Sequence, residues 1–162
     1  MGLRHRLILA FALAPLPMLL VAAVGCGSAP EPSPVPEIEG HLARGQQQVD
    51  AHQFRRARDE YARALVQSET ADNLYGQAVC YLSLSQCHRQ LGESREALRM
   101  FAEAERLMSL VSTEQPNLRP KDLHSLYGRF FEMQAWIYMS RRQWDDARNS
   151  LDLADEHYRL AQ

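Results

Sequence analysis

Three stretches decide how this chain folds: Phe54-Arg55-Arg56-Ala57-Arg58-Asp59-Glu60-Tyr61-Ala62-Arg63-Ala64-Leu65, Ser94-Arg95-Glu96-Ala97-Leu98-Arg99-Met100-Phe101-Ala102-Glu103-Ala104-Glu105, and Trp144-Asp145-Asp146-Ala147-Arg148-Asn149-Ser150-Leu151-Asp152-Leu153-Ala154-Asp155. In each, an alanine (Ala57, Ala97, Ala147) is followed four residues later by a large apolar residue (Tyr61, Phe101, Leu151). Three residues further on comes a second alanine (Ala64, Ala104, Ala154). Steps of three and four put these positions on one face of a helix. The alanines let a second helix approach closely, and the large residue between them fills the groove. From residue 37 onward the only prolines are Pro116 and Pro120, β-branched residues are few and apolar positions recur at three and four. The whole segment therefore reads as helical.

Taken with the sequence before them, these stretches resemble the second helices of tetratricopeptide repeats, helix-turn-helix elements of about 34 residues. The units run over residues 38–71, 78–111 and 128–161. Tyr81, Leu84, Ser85 and His88 occupy the aromatic, leucine, small and tyrosine positions of the second unit, with Gly92 at its turn. Phe131, Ala135 and Tyr138 do so in the third, where Gln134 replaces the leucine and Trp144 precedes the second helix. The first unit has Gly45 and Phe54 in place, but Arg44 and Gln48 where apolar residues belong. The units do not abut. This predicts lengthened first helices, one capped by Thr70 and running to about Gln90, another started by Pro120 and running to Arg141. The expected fold is all-α, a short α-solenoid of about three tetratricopeptide-like helix pairs.

The start of the chain has the order of a secretory signal peptide: basic Arg4 and Arg6, an apolar run broken by Pro15 and Pro17, then small residues. Ala23-Val24-Gly25-Cys26 resembles the bacterial lipobox, which implies cleavage before Cys26 and lipidation of its sulfur. An ordinary signal peptide with an incidental cysteine is the alternative. Two or three acyl chains hold a protein durably at a bilayer, whereas one does so only marginally. Residues 26–36, with prolines at Pro30, Pro32, Pro34 and Pro36, form a semi-rigid tether, and residues 37–162 form the repeat domain. The lipobox resemblance, with Gly27 and Ser28 after the cysteine and no Asp, implies the periplasmic face of an outer membrane.

The chain has 18 basic and 20 acidic residues in 162. Removing residues 1–25 takes away Arg4 and Arg6, leaving 16 against 20, about −4. This balance, with arginines only in pairs such as Arg55-Arg56 and Arg141-Arg142, argues against a nucleic-acid partner. With Cys26 lipidated, Cys80 and Cys87 remain. Seven residues apart on one helix, they lie roughly 10 Å apart along its axis, too far to bridge at a limit of about 7 Å. They read as small buried residues. His5, His41, His52, His88, His124 and His157 stand singly, without zinc-ligand spacing, and neither a phosphate loop nor a nucleophile elbow occurs. The expectation is a non-enzymatic protein with no cofactor and no metal.

Stacked helix pairs of this kind expose a face made by their first helices, where the family usually holds a peptide or helix. Carried over by position, the resemblance places Leu42, Gln46 and Val49 on that face in the first unit and Leu82, Gln86 and Arg89 in the second. Glu132, Trp136 and Met139 follow in the third, with Arg129 nearby. Trp136 is either an anchor for a partner or packed against its neighbouring helix. The expected function is a membrane-tethered adaptor or assembly factor of the cell envelope that captures an envelope protein or peptide. The alternative is a structural subunit of an envelope complex, a homo-oligomer included, that packs end to end through Tyr158 and Leu160.

Overall fold

The computed structural model describes residues 35–114 and 118–162. The signal peptide, Cys26 and most of the tether lie outside the described residues. Six helices follow in order: α1 (Val35–Asp50), α2 (Phe54–Thr70), α3 (Leu74–Gln90), α4 (Ser94–Glu114), α5 (Pro120–Ser140) and α6 (Trp144–Leu160). No strand occurs among the described residues, and none of the described helices is long and apolar enough to cross a membrane. The helices pack in adjacent pairs, α1 on α2, α3 on α4 and α5 on α6. α3 also lies against α2, and α5 meets both α3 and α4.

The alanine frame is where the pairs close. Ala57, Ala64, Ala97, Ala104, Ala147 and Ala154 are all buried, and so are Gly45, Ser85 and Ala135 on the first helices. At Gly45 a Cβ would stand 2.5 Å from the Tyr61 ring, so the α1–α2 approach needs a residue without one. Ser85 uses its small size differently, donating its hydroxyl across the second pair to the Ala97 carbonyl at 2.8 Å. In the third pair Ser150 Oγ donates to Gln134 Oε1 at 3.2 Å, which accounts for the glutamine at a leucine position.

One turn, used four times, sets the antiparallel geometry. Residues 51–53, 71–73, 91–93 and 141–143 each link two helices, with the middle residue left-handed: His52 (φ 56°), Asp72 (φ 49°), Gly92 (φ 76°) and Arg142 (φ 61°). The third residue donates its N–H five residues back, Gln53 to Gln48, Asn73 to Ser68, Glu93 to His88 and Gln143 to Tyr138, all at 2.8–3.0 Å. These bonds cap the carbonyls of the ending helix. The same residue's carbonyl then accepts from the N–H four residues on, as in Ala57 to Gln53 and Ala147 to Gln143, and so opens the next helix. The segment before α5 lacks this turn; Pro120 starts the helix instead, in its first turn.

Helix lengths depart from expectation in two places. α3 has 17 residues, the same as α2, and Thr70 ends α2 rather than capping α3. The cap is Asn73, whose side chain accepts from the Gly76 N–H at 2.9 Å, while the Thr70 hydroxyl turns back to the Val66 carbonyl. The extra length between the first two units is thus shared between α2 and α3. Of the first helices only α5 is long, at 21 residues, and α4, a second helix, matches it. α1 opens at Val35 with Pro36 in its first turn, just ahead of the expected start of the domain.

The main core lies among α3, α4 and α5. It holds Val79 and Leu82, then Phe101, Leu107 and Val111, then Leu126, Phe130, Met133 and Ile137. The Phe101 and Phe130 rings stack at 5.0 Å. A second cluster joins Ala57 and Tyr61 of α2 to Leu84 and Cys87 of α3 and Met100 of α4. α3 contributes to both and is apolar nearly all round, as a central helix must be. Cys80 and Cys87 are free thiols within it, and burial pushes their pKa values up to about 12 and about 11.

A left-handed backbone costs a residue with a Cβ roughly 1 kcal/mol. Arg142→Gly should therefore raise the thermal midpoint by roughly 3–5 °C, and Gly92→Ala, whose Cβ would meet nothing within 4 Å, should lower it by a similar amount. Calorimetry on the two variants checks both signs.

Candidate functional site

The expected surface residues divide into two groups. Leu82 and Gln86 of α3 and Arg129, Glu132 and Met133 of α5 line one crevice between these helices. Leu82 is only 1 % exposed, a core residue that forms the floor rather than a free contact, which corrects the sequence expectation. One turn further along, the Arg89 guanidinium carbon lies 5.9 Å from the centre of the Trp136 ring. Trp136 is half-buried and packs on the main core, as the plainer of its two readings has it, while Met139 beyond it is exposed. The first helix does not join them. Gln46 donates to Asp50 of its own helix at 2.9 Å, Val49 leans on the second core cluster, and Leu42 is half-buried against both clusters.

α3 and α5 run parallel, since Ser83 meets Arg129 at one level and Arg89 meets Trp136 at a later level on both helices. Arg129 donates through Nη2 to Ser83 Oγ at 2.7 Å. Ser83 in turn donates to the Val79 carbonyl at 2.7 Å, so its proton is committed to the backbone. Glu132 accepts from the Tyr158 hydroxyl of α6 at 3.0 Å. Burial raises the pKa of Tyr158, and its hydrogen bond to Glu132 holds it protonated. Burial also raises Tyr61 to about 12, with the Arg129 charge acting against it, and the same charge opposes burial at Tyr75, Cys80 and Cys87. The Arg129 charge is thus close enough to act on each of these groups.

Ser83, Tyr158 and Met133 are additions that sequence reasoning missed. A serine inside a helix carries no signal that it will receive an arginine from a helix 46 residues away. Tyr158, expected at a free end surface, is instead half-buried and tied to α5. In volume the crevice is about 10 Å³, room for about one water, far below the several hundred cubic ångströms of a small-molecule pocket. What it offers is the Gln86 amide, the Arg129 guanidinium and the Glu132 carboxylate on a floor of Leu82 and Met133. A wider, open hollow of about 480 Å³ lies at the turn end beside His52, Phe54, Arg55, Arg56 and Leu91, with no carboxylate, thiol or hydroxyl in its walls. No group of three potential metal ligands converges among the described residues.

The outer ends of α5 and α6 meet through a histidine pair. His124 Nδ1 and His157 Nδ1 are 3.0 Å apart, and the rings of Tyr127 and Phe131 stack on His157 at 5.2 and 5.5 Å. Such a bond needs one nitrogen to donate and the other to accept, so it fails when both rings are protonated. Burial lowers the His157 pKa and the charge of His124 lowers it further, while Glu156 opposes both. A histidine depressed in the folded state takes up its proton more readily when unfolded. The stability it contributes is complete above the unfolded value of about 6.5 and is lost as the pH falls through the folded value. Between pH 7 and pH 5 the thermal midpoint should drop, and His157→Gln should flatten that slope. Melting curves across this range, read by circular dichroism, check it; equal slopes would contradict the depressed histidine.

No protein-family model, curated protein or solved structure matches this chain.

Proposed function

We propose that this chain is a non-enzymatic, membrane-tethered adaptor or assembly factor of the bacterial cell envelope. In this reading it is a short α-solenoid of three tetratricopeptide-like pairs. It holds a peptide or helix of a partner protein against its first helices and is anchored by lipid on Cys26 at the periplasmic face of the outer membrane. The observation that carries the binding half is the α3–α5 surface: the crevice with Arg129, which has no ion pair among the described residues, and, further along the same helices, the Arg89–Trp136 contact and exposed Met139. Arginine and aromatic side chains dominate the energetics of protein interfaces, and a crevice with room for about one water suits a partner laid across its polar rim rather than a small molecule held inside it. The lipobox-like Ala23-Val24-Gly25-Cys26 and the proline-rich segment after it support the anchor.

A photo-crosslinking residue in place of Gln86, on the crevice, should trap a discrete protein in bacterial envelopes. The same residue in place of Arg63, on the exposed side of α2, should not. Equal products from both positions would count against the crevice. A palmitate label should attach to the wild-type chain and be absent from Cys26→Ser; label retained by that variant would overturn the anchor.

One observation favours the alternative of end-to-end packing. Leu151 stands where Tyr61 and Phe101 stand in the earlier pairs, yet it is 43 % exposed against their 3 % and 6 %. Trp144, seven residues earlier and on the same face of this helix, is exposed as well. If this face joins copies or subunits, sedimentation should report an assembly that Leu151→Glu breaks. A monomer at all concentrations removes self-association.

A further inference from the structure

We infer that the occupant of the α3–α5 crevice is an acidic segment of a partner protein, with two carboxylates set to meet Arg129 and Arg89. This rests on the reading of the crevice as a surface that holds a peptide and narrows it to one chemistry. It is carried by two half-buried arginines on facing helices that have no ion pair among the described residues. Sheltered charges need partners more than solvated ones do, because water no longer screens or hydrates them fully. Among the exposed arginines Arg44, Arg63, Arg99, Arg106 and Arg119 have a carboxylate within ion-pairing distance, and others, Arg95 and Arg148 among them, are left to water, which hydrates them. Three described arginines are half-buried: Arg58, Arg89 and Arg129. Arg58 reaches Asp59 and Glu93 at 3.6 and 3.9 Å.

Arg129 lines the crevice and Arg89 lies one turn beyond Gln86 on α3, and neither has an ion pair among the described residues. Arg129 has one hydrogen bond, to the neutral Ser83. Arg89 Nε is buried with no acceptor, and its guanidinium is held over the Trp136 ring, which fixes its direction without neutralising it. Glu132 shares the crevice with Arg129 but takes the Tyr158 hydroxyl rather than the guanidinium. Two oriented cations without an ion pair among the described residues, with Gln86 between them on α3, make an arrangement complementary to carboxylates. Charge-assisted bonds of this sort are the strong ones, and guanidinium takes a carboxylate in a two-bond fork. Ser83 and Arg89 mark the two levels on α3, six residues or roughly 9 Å apart along the axis. A polyproline II segment has three residues per turn and rises about 3.1 Å per residue, so acidic residues three apart lie on one face and span them.

The test is selection of short random peptides displayed on phage against the full chain. Expected is enrichment of sequences with Asp or Glu about three residues apart. A synthetic peptide of the selected sequence should bind roughly ten-fold more weakly when its acids become Gln. Arg129→Met and Arg89→Met should weaken it comparably, and Arg63→Met should not. In a Trp144→Phe background the peptide should shift Trp136 emission. Circular dichroism shows whether Arg129→Met folds, and the Gln peptides test the same charge on the unaltered chain. Selected peptides that lack acidic bias and bind equally with Gln would overturn this inference while leaving the peptide-holding reading in place. Failure to select any peptide would overturn both. A dimer that Arg129→Met splits into monomers would replace the separate partner with a second copy of the chain.

Discussion

The structure depends on the burial of α3. A helix in the middle of the array has no face for water, so its residues are apolar or small nearly all round, Ala78, Val79, Cys80, Leu82 and Leu84 among them. Its polar side chains must find partners inside. Ser83 bonds to its own helix, and Ser85 bonds across to the Ala97 carbonyl. Each buried apolar side chain of this size contributes about 1.5–3 kcal/mol. Because α3 touches α1, α2, α4 and α5, this burial joins the helix pairs into one body. It also sets α5 beside α3, and that juxtaposition makes the crevice.

The helix pairs were legible in the sequence because close approach demands small residues at fixed intervals. Ala57, Ala97 and Ala147 recur in register, and all three are buried where two helices meet. Helix ends were less legible. The turns rely on a left-handed middle residue, and only Gly92 advertises that conformation; His52, Asp72 and Arg142 adopt it because the capping bonds on either side hold them there. Thr70 is a good capping residue by type, but Asn73 is better placed to receive the Gly76 N–H. Propensity ranks candidates, and the position of the preceding turn chooses among them.

The binding residues were legible in part. A positional frame says which side of a helix a residue lies on, but not how closely the neighbouring helix covers it. Leu82, expected as a surface contact, is at the floor of the α3–α5 crevice, since α5 closes over it. Gln46 and Val49 lie on the corresponding face of α1, yet their own helix and the second cluster occupy them. The pairing of Arg129 with Ser83 was beyond the sequence, because a contact between helices that far apart in the chain has no local signature. What a sequence can signal is the residue type. Arginine beside small and aromatic residues on facing helices marks a place worth testing for an anion.

These features make a body whose interior is organised around one helix and whose polar chemistry gathers on one side of it. In the function proposed above, residues 26–36 tether that body to a bilayer, and the charge of Arg129 is the feature a partner answers. Hydrogen exchange of the native chain tests the central claim most directly. If α3 is the helix on which the pairs rest, its amides between Val79 and Cys87 should be the slowest to exchange, opening only with global unfolding. Amides of α3 that exchange as fast as those of α1 or α6 would contradict the account.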